Sequence, residues 1–455
     1  MVKSSTSGSK KFSAKQVLAD YRLAYQSRQV SLIGRREVLS GKAKFGIFGA
    51  GKEVPQLAMA KAFQPGDWRS GYYRDQTFMF ATGEHTMAGF FAHLYADSDL
   101  EREPASGGRA MNAHFSTQSL DENGEWLDLM QIKNSSSDVS PTAAQMPRLV
   151  GLAYASKFFR ELEDLKKLTK FSSNGDEVAF GTIGNASAAE GMFWEALNAI
   201  SVLQSPAVIS IWDDDYGISV PNSIQHGKNL ADHLSGFARN AGEGRGYNYV
   251  QVPAWDYPAL IDAYQQVVAQ ARKDHIPAIV HVVEVTQPQG HSTSGSHERY
   301  KTRERLEWEK AHDCLPRFRE WIIEQGFSTD AKLAVFEQQD LEAVEGIRAK
   351  AWDEYKAPIL AEVGELLALL DTAIGEIGER QELSDLRNKL KSSSNPTRKD
   401  LVETASKFLV AAFRDDYDLQ ESLSTFKQRI EEENLIRYGS HLYAETDRSA
   451  AKIPQ

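Results

Sequence analysis

An α/β fold with a parallel sheet, helices on both faces, is predicted for this chain by three features of its middle. Short β-rich runs recur at residues 177–183, 207–212, 247–252 and 277–285. The stretches 188–200 and 256–273 carry apolar residues at helical spacing, and such alternation predicts parallel strands with crossover helices. Three of the four runs end in segments of unusual composition, where ligands of such sheets bind.

In chain order, residues 1–12 are rich in Ser, Gly and Lys and read as a flexible tail. Residues 17–39 follow with Val17, Leu18, Tyr21, Leu23, Tyr25, Leu32, Ile33, Val38 and Leu39 at helical spacing. The α/β pattern occupies residues 13–325. Beyond Gly326 the composition turns to Glu, Lys and Gln, with helical patterns such as residues 362–391, broken at 392–396. Residues 326–455 are therefore expected to form a helical extension and a polar tail.

With 455 residues, 41% hydrophobic and 25% charged, the chain can bury a large core, which excludes disorder. No apolar run reaches the roughly 18–20 residues of a membrane span. The first residues hold no secretory apolar stretch, and a single cysteine, Cys314, suits a reducing compartment. A cytoplasmic protein is expected. A net charge of −11 without a basic stripe argues against nucleic-acid binding.

The chemistry concentrates after two of the runs. The first enters Gly184-Asn185-Ala186-Ser187-Ala188-Ala189-Glu190-Gly191 and then a helix. Small residues there let backbone N–H groups approach a phosphate, although they equally permit tight helix-on-sheet packing. The second ends in Trp212-Asp213-Asp214-Asp215-Tyr216-Gly217-Ile218-Ser219. Three consecutive carboxylates repel one another unless solvated or bound to a cation. Adjacent strands would bring Asn185 and Asp214 to one sheet edge, offering oxygen ligands to magnesium, which favours one or two carboxylates plus phosphate oxygens.

These two loops resemble the paired motif of thiamine-diphosphate enzymes, and are most similar to the α-subunit of the decarboxylating component of 2-oxo acid dehydrogenase complexes, particularly the branched-chain type. Four further segments continue the resemblance: Tyr73-Arg74-Asp75, Gly108-Arg109-Ala110-Met111-Asn112-Ala113-His114, Ser140-Pro141-Thr142-Ala143-Ala144-Gln145-Met146-Pro147 and Gly290-His291-Ser292-Thr293-Ser294. The likeness implies thiamine diphosphate and Mg2+ as cofactors. Asn185, Asp214 and the Tyr216 carbonyl would hold the metal. Tyr73, Arg74 and His291 would meet the diphosphate, with Gly184 and Ala186 in the phosphate turn, and Thr142 and Ile218 would surround the aminopyrimidine. His114 and His291 would face substrate or move protons. The implied reaction is oxidative decarboxylation of a 2-oxo acid, branched-chain type or pyruvate, with acyl transfer to a lipoyl group.

The implied partners are a β-subunit carrying the pyrimidine-binding domain and its glutamate, in an α2β2 assembly, and a lipoyl-bearing acyltransferase. No second α/β pattern follows Gly326, so the chain is expected to be inactive alone. Two departures from the family pattern stand out: Asn185 and Asp214 exchange the amide and the carboxylate, and Trp212 stands where branched-chain members have Arg. On their own surroundings Arg74 reads more readily as a surface residue, and His114 as a hydrogen-bonded loop histidine. Residues 290–301, rich in Gly, Ser and Thr, are expected to order only around a ligand. A degenerate subunit that keeps the fold without cofactor is the rival reading. A nucleotide-binding dehydrogenase ranks last, because no Gly-x-Gly-x-x-Gly follows any run.

Overall fold

Strands that are apolar along their whole length can lie only where helices cover both faces of a sheet, and two such strands form the centre of this one. The structure, a computed structural model, describes residues 12–240, 244–415 and 419–439, with Asp447 and Lys452. The expected tail, apart from Phe12, and most of the segment after Tyr438 lie outside the described residues. The strands are β1 (Trp68–Ser70), β2 (Asn134–Ser135), β3 (Ala179–Gly184), β4 (Ala207–Trp212), β5 (Tyr216–Gly217), β6 (Val220–Pro221), β7 (Asn248–Pro253) and β8 (Ala278–Val283). Six of them make one parallel sheet in the order β2-β1-β3-β4-β8-β7, and β5 and β6 form a separate antiparallel pair.

Alternation along the strands divides the core. Phe180, Val208 and Val280 face helices Ala14–Leu39, Glu53–Ala62, Tyr257–Asp274 and Cys314–Glu324. Ala179, Ile209, Ile211 and Ile279 face Gln145–Glu161 and Gly191–Leu203. Local chemistry sets the helix ends: Ser13 and Asp256 accept backbone N–H bonds as N-caps, and His275 turns left-handed to stop Tyr257–Asp274. Gly184 pairs with Trp212, and Trp212 with Val282. That register sets the carboxyl ends of β3, β4 and β8 flush, so the loops after them share one edge.

The predicted α/β class is the observed one. Sequence patterning did not reveal β1 and β2, which have three and two residues and bury Arg69, Ser70, Asn134 and Ser135 rather than an apolar stripe. The helix expected over residues 188–200 begins instead at Gly191, after a 3-10 turn, Ser187–Ala189. Helix Asp330–Ile377 begins just past the composition change and carries Pro358 within it. Its first half lies along Ala14–Leu39, where Arg22 grips Asp340 through two hydrogen bonds of 2.9 and 2.6 Å. Its second half joins Gln381–Lys391, Arg398–Ala411 and Gln420–Arg437 around a separate core of Leu366, Leu370, Leu383, Leu401, Phe408 and Phe426. Gly378, left-handed, ends that long helix where the sequence suggested continuity. No helix among the described residues is long and apolar enough to cross a membrane.

Candidate functional site

Flush strand ends bring the three consecutive aspartates to the site, and the loop then gives each a separate environment. Asp213 is tied down: its Oδ2 lies 2.9 Å from His281 Nε2 and its Oδ1 accepts from Asn222 at 2.9 Å. Burial would raise that carboxyl, but the His281 hydrogen bond and charge, the Asp215 N–H and Asn222 together outweigh it and hold the pKa below the usual carboxylate value. Asp215, left-handed, turns outward toward Arg305 at 3.3 Å. Asp214 alone points inward, where its Oδ2 stands 3.7 Å from the buried Lys52 ammonium.

Around Asp214 three oxygen donors converge. Asn185 Oδ1 accepts the Asp214 N–H at 3.3 Å, and Asn185 Nδ2 donates to the Tyr216 carbonyl at 3.3 Å and to Asn222 Oδ1 at 2.7 Å. Asp214 Oδ1 accepts the Tyr216 N–H at 3.3 Å. Gly217 makes this approach possible, because a Cβ there would lie 2.5 Å from that of Ala186 in the turn after β3. Among the described residues no group of three His, Cys, Asp or Glu side chains could hold a metal ion. The corner offers one carboxylate, one amide and one backbone carbonyl instead, a donor set suited to a hard cation that keeps phosphate oxygens in its shell.

The phosphate turn differs from its expected form. Amides of Ala188, Ala189 and Glu190 donate to the carbonyls of Asn185, Ala186 and Ser187, so the 3-10 turn consumes the N–H groups that a helix starting directly after the strand would have offered. Gly184 and Ala186 still border the corner, Gly184 beside the Tyr72 hydroxyl.

Tyr73, Arg74, His114 and His291 come together from three loops. The Tyr73 ring lies 6.0 Å from His114 and 6.4 Å from His291, with the Arg74 guanidinium 5.1 Å from its centroid. Arg74 is buried and most of its reach is committed: it donates to the Phe48 carbonyl at 2.6 Å, the His291 carbonyl at 2.7 Å and His291 Nδ1 at 3.2 Å. An arginine can only donate, so Nδ1 is the acceptor nitrogen and the hydrogen of neutral His291 sits on Nε2. Burial, with the Arg74 and Lys52 charges adding, pushes the His291 pKa down to about 3. His291 is thus a neutral N–H donor at neutral pH. In His114, Nδ1 lies 3.3 Å from the Asn112 carbonyl and Nε2 3.2 Å from Ser140 Oγ. Nδ1–H therefore donates, and Nε2 accepts the serine proton.

His291 has a consequence for stability. Below its ordinary value of 6.5 the unfolded chain takes up a proton that the folded chain refuses until about pH 3. Stability present above pH 6.5 is lost as pH falls through that window. His291→Asn is expected to lessen this acid-side loss in urea unfolding midpoints; equal losses in both proteins would place the histidine in a more solvated setting.

Thr142 and Ile218 are exposed, two residues along the chain from Ser140 and Tyr216 respectively. Ile218, Ala113 and Ala143 all adopt left-handed backbone next to or at site positions, the kind of strain that collects where a side chain must be aimed. Residues 290–294, expected to lack contacts of their own, are anchored by Arg35 to the Gln289 and Ser292 carbonyls, by Thr293 to Gly46 and by Arg74. The anchoring cations lie far away in sequence, so the loop's composition could not reveal them. Lys52, Gln287 and the Asn222–Asp213–His281 chain were also not foreseen. Gly49-Ala50-Gly51 before Lys52 was the one local signal of a close backbone approach.

Fold and site define an α/β enzyme that works at the carboxyl edge of a parallel sheet. The family model for the dehydrogenase E1 component matches residues 27–359. The 2-oxoisovalerate dehydrogenase subunit alpha of Bacillus subtilis is 27% identical over 331 residues, covering 70% of this chain and 86% of that protein. The mitochondrial 2-oxoisovalerate dehydrogenase subunit alpha of Caenorhabditis elegans is 26% identical, over 64% of this chain and 59% of its own length. The pyruvate dehydrogenase E1 component subunit alpha of Acholeplasma laidlawii is 26% identical over 67% and 73%. The chain belongs to the dehydrogenase E1 family, as a thiamine-diphosphate-dependent 2-oxo acid dehydrogenase α subunit.

Proposed function

We propose that this subunit, with a β-subunit supplying the pyrimidine-binding domain and its glutamate, binds thiamine diphosphate with Mg2+ and decarboxylates a branched-chain 2-oxo acid or pyruvate. The convergence of Asn185, Asp214 and the Tyr216 carbonyl at one strand edge carries the reading. These three would hold the metal, Tyr73 and His291 would face the diphosphate, Gly184 and Ala186 would line its turn, and Thr142 and Ile218 would border the aminopyrimidine. Bound thiamine diphosphate supplies the electron sink for loss of carbon dioxide.

The protein's own contributions follow from its hydrogen bonds. Arg74 fixes the His291 ring, so that Nε2–H is aimed at an anion without the cost of orienting it later. Ser140 keeps the His114 Nε2 lone pair occupied, and a substrate group that displaces the serine hydroxyl would find a proton acceptor there. The acyl group would pass to the lipoyl group of an acyltransferase, from an α2β2 assembly in the cytoplasm. The buried, unpaired Cys314 suits that reducing setting. Convergent oxygen donors and buried cations disfavour the degenerate-subunit reading, since a decayed site has no reason to keep them. Coexpression with the β-subunit, followed by calorimetric binding of thiamine diphosphate with magnesium and assays on pyruvate and branched 2-oxo acids, tests the proposal. An assembled complex that binds no thiamine diphosphate would overturn it.

A further inference from the structure

We propose that Lys52 is a diphosphate-binding cation of this site, its ammonium moving from Asp214 to a phosphate oxygen when a divalent cation takes the carboxylate. The inference rests on the cofactor reading above and names a residue that the motifs do not contain. Gly51, left-handed, presses its backbone against the segment leaving β8, where a Cβ would lie 2.0 Å from the Thr286 carbonyl oxygen. Helix Glu53–Ala62 starts immediately afterward, so the Lys52 side chain is delivered into the corner between Asp214 and Gln287.

Once there, the ammonium is buried, 1% exposed, and short of partners. It has three N–H donors and, among the described residues, makes one hydrogen bond, 3.1 Å to Gln287 Oε1. Asp214 Oδ2 at 3.7 Å lies beyond hydrogen-bonding distance. A buried ammonium left in that condition is costly unless the site brings it an anion.

Its neighbours are held more firmly. Arg74 donates to Phe48 and His291. Lys301 bonds Glu309 at 2.6 Å, and Arg305 bonds Glu309 and the Asp214 carbonyl. Trp212 closes β4 with a neutral indole whose N–H points at Asp75 at 3.4 Å. Among the described residues at this corner, Lys52 is the cation held by a single hydrogen bond to a neutral group. A diphosphate and Asp214 together carry more negative charge than one magnesium ion neutralises. In a water-poor corner that excess calls for a nearby cation.

The test is calorimetric titration of the α/β complex with magnesium and thiamine diphosphate, with magnesium and inorganic pyrophosphate, and with thiamine, which lacks the diphosphate. Lys52→Met is expected to weaken the first two by about tenfold to a hundredfold, the worth of a charge-assisted hydrogen bond, and to leave thiamine binding unchanged. Where Lys52→Met lowers the unfolding temperature, Lys52→Gln makes the same comparison with a donor kept and the charge removed. Wild-type affinity for both diphosphate ligands in the variant overturns the assignment of Lys52, as does an equal loss for thiamine. Failure of the wild-type complex to bind thiamine diphosphate overturns instead the cofactor reading.

Discussion

Asp214→Ala is expected to weaken binding of magnesium and thiamine diphosphate to the α/β complex by about 2–4 kcal/mol, roughly thirtyfold to a thousandfold. Asp214 is the one carboxylate of its run directed inward, its Oδ1 accepting the Tyr216 N–H and its Oδ2 3.7 Å from the Lys52 ammonium. On the proposed reading, removing it takes away the anionic ligand and leaves an amide and a carbonyl, too weak a set to strip water from magnesium. A second effect adds to the first. Burial already lowers the Lys52 pKa to about 8 against the opposing pull of Asp214, so without that carboxylate the ammonium is easier to deprotonate and less able to meet an anion. Calorimetry over a range of magnesium concentrations measures the loss. Asp215→Ala is the matched control, because that carboxylate faces Arg305 and solvent; equal losses in the two variants would remove Asp214 from the metal site.

The aspartate run shows how far sequence reasoning reaches here. Its position after an apolar strand located the site, since strand ends in a parallel sheet are where loops are free to carry function. What divides Asp213, Asp214 and Asp215 among three tasks is contributed from elsewhere in the chain: His281 on β8, Lys52 before helix Glu53–Ala62, and Arg305 on helix Arg303–Ala311. No local pattern encodes such partners. The same holds for His291. Its residue type suggested titration near neutral pH, whereas burial beside Arg74 and Lys52 removes that titration. In the fold, β3, β4, β7 and β8 were legible because apolar runs between helical stretches have one economical arrangement. Strand β1 and the edge strand β2 were not, because they are held by buried polar side chains rather than by an apolar stripe.

Arg69→Met is expected to destabilise the protein by about 3–5 kcal/mol, the usual cost of removing one partner from a buried charge network. Arg69 is fully buried on β1. It donates to Asp75 at 2.8 Å, Ser135 Oγ on β2 at 2.7 Å, the Tyr72 carbonyl at 3.1 Å and Asp138 at 3.0 Å. Asp75 in turn accepts from Thr182 and Trp212, and Asp138 from the Phe115 N–H. One guanidinium therefore joins the sheet edge, the Tyr73–Arg74 turn and the His114 loop. Lysine could not replace it, since a single ammonium cannot span acceptors arranged around a planar fork. In the variant Asp75 and Asp138 face each other without a counterion. Burial already raises the Asp75 pKa despite Arg69, and loss of the arginine raises it further. A carboxyl whose folded pKa exceeds its unfolded value favours folding at low pH and loses that contribution as pH rises through the folded pKa. The stability difference between wild type and variant is thus expected to widen from acid to neutral pH in urea titrations. A difference below about 1 kcal/mol at neutral pH, the range of exposed pairs, would mean that β1 and the two site loops are held together by packing and not by this arginine.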